Sequence, residues 1–141
     1  MQHDRLRLAR TWLQNARNDL DLTETIAERF PARACFHAQQ SSELGLKAAL
    51  VAVADDHPRT PVGGDLVLEL RGVGVAVHED VAAAANALDL YYASSRYPDA
   101  LAGADPLRVI STGDAHRAVE RAHLVFSFAS SVVDAQPAEP A

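Results

Sequence analysis

Two stretches of this 141-residue chain carry residue types whose spacing could do chemistry. In the first, Gln40, Glu43 and Lys47 recur at helical intervals, and at about 100° per residue they fall within about 60° of one another and of Phe36. That sets them at the border of the apolar stripe of Cys35, Leu46, Ala49, Leu50 and Val53, lining a seam rather than facing bulk water. Two readings stand. Glu43 and Lys47 form an i,i+4 pair in the favourable order, worth roughly a few tenths of a kcal/mol on a surface. Alternatively, a glutamine, a carboxylate and the only lysine in the chain converge at the mouth of a groove, where such groups hold a phosphate or a base. The second stretch is YYASSRYPD, Tyr91 to Asp99. It reads either as a rigid helix exit, with Pro98 fixing the turn and Arg96 paired with Asp99, or as an arginine preorganised among stacking rings to grip a nucleotide.

These residues need elements to position them. Leu6, Ala9, Leu13, Ala16, Leu20, Thr23 and Ala27 recur at a helical period, with Trp12 and Ile26 on the flanks, so the pattern predicts one amphipathic helix over 3–29. Pro31 suits the opening turn of a second helix over 32–55, and so short a break makes the two antiparallel neighbours. The second helix is expected to end at Asp55, Asp56, His57 and Pro58. Residues 65–70 read as a short helical turn, and 72–77 as the sole candidate strand, which cannot form a stable sheet alone. A third helix over 78–95 is read from Val81, Ala84, Leu88, Tyr91 and Tyr92. A fourth over 114–134 aligns Ala115, Ala118, Val119, Ala122, Val125, Phe126, Ala129 and Val133, with Asp114 as its cap. The expected fold is all-α: an antiparallel up-and-down bundle of four or five helices, a single domain over 1–135, with a disordered tail over 136–141.

Composition narrows the function. A net charge of -6 excludes coating of nucleic acid by bulk electrostatics, which needs a basic excess. Arg5, Arg7, Arg10 and Arg17 still leave room for a local basic patch. Twelve arginines beside one lysine suit bidentate phosphate contacts, and a GC-rich genome produces the same bias. The lone Cys35 excludes an internal disulfide and a cysteine-rich metal site, and neither GxSxG nor HExxH is present. His37 reads as a solvated or capping histidine. No metal is expected, and no cofactor beyond a nucleotide such as ATP as ligand. With no membrane-length apolar run and no apolar core at the start, the cytoplasm is the expected compartment, without membrane attachment.

WLQNARNDL at Trp12–Leu20, ACFHAQQSSELGLKAAL at Ala34–Leu50 and YYASSRYPD at Tyr91–Asp99 resemble the successive signature segments of HEPN-domain proteins, over roughly residues 6–133. The resemblance implies a helical bundle, often a homodimer, that binds a nucleotide and partners a minimal nucleotidyltransferase in a toxin–antitoxin-like pair. Carried across position by position, the matching polar residues are His37, Gln39, Gln40, Glu43 and Lys47 on the second helix, and Tyr92, Arg96, Tyr97 and Asp99 at the exit of the third. The expected ligand site is His37, Gln40, Glu43, Lys47, Tyr92, Arg96, Tyr97 and Asp99, with Lys47 and Arg96 opening onto one pocket. One departure is Gly64 before Asp65 and Leu66, where relatives carry a histidine. The glycine-rich RGVGVAV at 71–77 has no counterpart in the resemblance.

Many relatives are metal-independent RNases marked by an arginine, four to six residues and a histidine. Arg71 to His78 and Arg117 to His123 both fit that spacing, and chance alone supplies roughly one or two such pairs. Arg117 and His123 fall about 120° apart on one helix, an awkward arrangement for sharing a substrate within one subunit. Three functions therefore remain: a binding module for a nucleotide or RNA, an RNase toxin using Arg117 and His123, and a structural adaptor without ligand.

Overall fold

The computed structural model describes residues 2–101 and 103–137. Its elements are α1 (Gln2–Ile26), α2 (Pro31–Ala54), α3 (Gly63–Gly72), α4 (Glu79–Asp89), α5 (Tyr91–Ser94), a 3-10 turn (Pro98–Leu101), α6 (Pro106–Val109) and α7 (Thr112–Asp134). The fold is all-α, with no strand among the described residues.

Direct contacts fix the directions of the long helices. Thr23 Oγ1 donates to the Ala34 carbonyl at 2.6 Å, and Ser41 Oγ donates to the Ala16 carbonyl at 2.8 Å. Residue numbers fall along α1 as they rise along α2, so the two are antiparallel, as the short break between them requires. Glu28 meets His116 and Glu24 meets His123, which makes α7 antiparallel to α1 and hence parallel to α2. The α2–α7 contact is close because both present small residues: a Cβ on Gly45 would lie 3.4 Å from that of Ala129 and 3.8 Å from that of Ala16. Leu46, Leu50, Leu66, Leu70, Val81 and Val125 bury one part of the core. Leu20, Cys35, Ala38, Leu88 and Ala118 bury another. Burial pushes the Cys35 thiol up to about 12, with the Asp114 charge adding to the rise, so this cysteine stays a protonated core residue.

Several boundaries differ from the sequence reading. In the segment 72–77, Gly72 ends α3 and the rest is a docked turn, because its amides fold back onto the end of that helix: Gly74 N donates to the Arg71 carbonyl and Val75 N to that of Leu70. With Gly74 at φ 91° the chain reverses, and Val77 is buried. The turn expected at 65–70 is a longer helix, whose first amides are capped by the remote Asp89 carboxylate at 2.6 and 2.9 Å. The third helix breaks at Leu90 into α4 and α5. The N-cap of α7 is Ser111, not Asp114. Asp114 is the third helical residue of a capping box, in which each of the two side chains accepts from the other's backbone N–H. Of the tail expected to be disordered, residues 138–141 lie outside the described residues.

Candidate functional site

The polar border of α2 is a wired row. Gln39 Nε2 donates to the Pro61 carbonyl at 3.1 Å, and Gln40 Nε2 donates to Gln39 Oε1 at 2.7 Å. Gln39 and Gln40 also reach Glu43 Oε1, at 3.4 and 3.5 Å. Lys47 Nζ donates to Glu43 Oε2 at 2.9 Å. The pair is sheltered, with side-chain exposures of 9% for Lys47 and 14% for Glu43. An ion pair held this far from water is a different object from the surface pair that i,i+4 spacing describes.

Opposite this row stands the segment linking α2 to α3. Asp55 takes the left-handed conformation that ends α2, turning the chain back across the helix. His57 is seated against the Trp12 ring of α1, with centroids 4.6 Å apart. Thr60 Oγ1 accepts the Val62 amide at 3.1 Å, and the Pro61 carbonyl is fixed by Gln39. Between these walls lies an open hollow of about 280 Å³ lined by Gln40, Glu43, Lys47, His57, Arg59, Thr60, Pro61 and Tyr92. Glu43 neutralises Lys47. Arg59 is exposed and makes no ion pair among the described residues, so the hollow carries a positive surplus in an acidic protein. An ammonium with one carboxylate partner also retains donor capacity, since –NH₃⁺ has three N–H groups.

The arginine–tyrosine exit adjoins this hollow instead of entering it. The Arg96 guanidinium lies 4.1 Å from the Phe36 ring centroid, 4.8 Å from that of Tyr97 and 5.3 Å from that of Tyr92. Its Nε and Nη2 donate to the Tyr92 carbonyl at 3.3 Å. Phe36 is about one turn before Gln40 on the same face of α2, so Arg96 and Lys47 share a side of the molecule. They do not share one pocket: Arg96 is absent from the lining, and Tyr92 is the residue common to both groups. Of the two readings of this stretch, the Arg96 pairing with Asp99 is absent among the described residues, and the guanidinium lies instead among the rings. Asp99 is exposed on the 3-10 turn. His37 points to α1, where Nδ1 meets Asp19 Oδ1 at 3.0 Å.

The arginine–histidine pairs are engaged elsewhere. Arg117 Nη2 donates to Asp114 at 2.8 Å, while His123 pairs with Glu24 of α1. Arg71 ties the Val77 carbonyl and Glu79, and His78 caps α4 by accepting the Asp80 amide. At Gly64, where the resemblance expects a histidine, a Cβ would collide with Asn86 Oδ1, so any side chain there must first displace Asn86.

Sequence reasoning missed His57, Arg59, Thr60, Pro61 and Asp89. Arg59 had a legible signal, since it stands between Pro58 and Pro61 much as Arg96 stands before Pro98. Asp89 had none: its two capping bonds span 25 and 26 residues. Burial raises its carboxyl, and the Gly64 and Gly63 amides oppose that rise. No group of three or more His, Cys, Asp or Glu among the described residues is arranged for a metal, and no helix among them is long and apolar enough to cross a membrane.

Comparison with known proteins adds to this geometry. The HEPN domain family model matches residues 9–132. The crystal structure of TT1696 from Thermus thermophilus is similar at 32% identity and a TM-score of 0.81, covering 88% of this chain and 97% of that one. ST0689, described as an archaeal HEPN homologue, shares the fold at 22% identity and a TM-score of 0.73, covering 89% of this chain and 97% of that one. Comparison with curated proteins found no match.

Proposed function

We propose, from the premise that this chain belongs to the HEPN domain family, that it is a binding module for a phosphate-bearing nucleotide, held in the hollow between α2 and the 57–61 segment. One observation carries the reading: a lysine only 7% exposed, partnered by one carboxylate, lines a hollow that also presents Arg59, which makes no ion pair among the described residues. A phosphate there would complete the donors of Lys47 and bind Arg59 through charge-assisted hydrogen bonds. The adjoining Arg96 stack supports Tyr92, the wall the two groups share. The module would act as a homodimer and as companion to a minimal nucleotidyltransferase in a toxin–antitoxin-like pair, working by binding. Arg117 and His123, the residues an RNase reading would use, are engaged with Asp114 and Glu24.

Calorimetric titration with ATP and ADP tests the site. Arg59→Ala should weaken binding by roughly 10- to 100-fold, the value of a hydrogen bond to a charged group. Absence of binding by the unaltered protein, or equal binding by the Arg59→Ala variant, rejects the reading. Co-expression with a minimal nucleotidyltransferase, followed by light scattering, tests the partnership; separate elution of the two chains rejects it.

A further inference from the structure

The phosphate hollow has an apolar neighbour. Across the ridge made by Pro61 and Tyr92 lies a second hollow of about 330 Å³, lined by Pro61, Val62, Asp89, Leu90, Tyr92 and Ala93. Its rim is apolar and left to solvent: Leu90 is 69% exposed, Tyr92 41% and Val62 40%. Large apolar side chains gathered on one concavity mark a binding surface more than scattered ones do. Both walls are fixed in place, one by Gln39 on the Pro61 carbonyl and the other by Asp89 on the Gly63 and Gly64 amides. The two hollows together fall within the roughly 300–1,000 Å³ of small-molecule sites.

We propose that this second hollow seats the base of the bound nucleotide and favours bases that present an amino group, adenine and cytosine over uracil. The inference rests on the reading of Lys47 and Arg59 as the phosphate end. The occupant follows from charge and continuity: an anion belongs on the cationic side, and a flat ring suits the apolar side beyond the shared Tyr92. The single charged group on the apolar side is the Asp89 carboxylate. Each of its oxygens already accepts one amide and keeps a further lone pair. An exocyclic amino group can donate to it, whereas the carbonyl of uracil would set oxygen against oxygen.

The test is calorimetric titration of the full chain with pyrophosphate, ADP, CDP and UDP. Stacking and burial of a base are worth about tenfold or more in affinity. ADP and CDP should therefore bind about tenfold more tightly than pyrophosphate, and CDP more tightly than UDP. Leu90→Ser, at a residue 69% exposed, should bring ADP down towards pyrophosphate while leaving pyrophosphate unchanged; Val62→Ser should do the same more weakly. Equal affinity for ADP and pyrophosphate, or ADP binding indifferent to both substitutions, overturns the base seat while the phosphate site stands. Equal affinity for CDP and UDP overturns the selection by Asp89. If pyrophosphate and the nucleotides all fail to bind, the phosphate reading falls and takes this one with it.

Discussion

The α2 border and the α1–α7 seam are built from the same kinds of residue and behave differently. Along the seam, His116 meets Glu28 and His123 meets Glu24, with side-chain exposures between 43% and 77%. On the α2 border, Lys47 and Glu43 are each exposed by 14% or less, and two glutamines from the same helix converge on the carboxylate. Charges paired in water are largely satisfied and contribute about 0–1 kcal/mol. A sheltered ammonium with one carboxylate partner beside an open hollow has donors to spare for a ligand. Burial and unused hydrogen-bonding capacity, more than residue type, distinguish a candidate site from a solvated seam.

The largest effect should come from breaking the sheltered pair. Glu43→Ala leaves the Lys47 charge uncompensated and should cost about 3–5 kcal/mol in chemical denaturation, whereas Glu43→Leu with Lys47→Met should recover much of that loss. A cost for Glu43→Ala no greater than that of Glu24→Ala would erase the contrast. Next is the cap of α7. Asp114→Asn should cost about 1 kcal/mol near neutral pH. The Ser111 amide, helped by Arg117 and the Ser111 hydroxyl, holds the Asp114 carboxyl below its usual range against the opposing effect of burial. A lowered folded-state value means stability that is present above the ordinary carboxylate pKa and is lost as pH falls through the folded one. The gap between wild type and variant should therefore close below about pH 4, and a gap unchanged down to pH 3 contradicts this account.

Smaller still, His123→Ala should cost at most about 1 kcal/mol and leave nucleotide affinity as it was, and a loss of binding would move the site to the seam. Arg59→Ala should be the mildest for the fold, within about 0.5 kcal/mol of wild type, while impairing the ligand. A destabilisation comparable to that of Glu43→Ala would mark Arg59 as structural.

The bundle was legible because helix periodicity is local. Leu6, Ala9, Ala16 and Leu20 are buried where their spacing puts them. Tyr92 breaks the pattern: its spacing puts it on an apolar face, yet it stands exposed, on the short α5 that follows the break at Leu90. Asp89, the last residue of α4, is drawn to the α3 amides, a bond between residues distant in the chain.

Half of the site followed the same rule. The seam of Gln40, Glu43 and Lys47 follows from a 100° increment, and its position beside an apolar stripe is a property of one helix. The opposing wall of His57, Arg59, Thr60 and Pro61 does not, since a loop carries no period and its course is set by the partners it finds. Trp12, which packs on His57, and Gln39, which holds the Pro61 carbonyl, are those partners.

The sequence by itself determined the long helices α1, α2 and α7, their apolar faces, the antiparallel start and the polar row along α2, because each rests on contacts within a few residues. Tertiary structure alone decided that Arg96 stacks beside the hollow instead of lining it, that Arg59 and Lys47 line one hollow, and that Arg117 and His123 are spent on neighbouring carboxylates. Those outcomes depend on which side chains meet across the bundle, and such meetings are chosen by packing and burial summed over the whole chain.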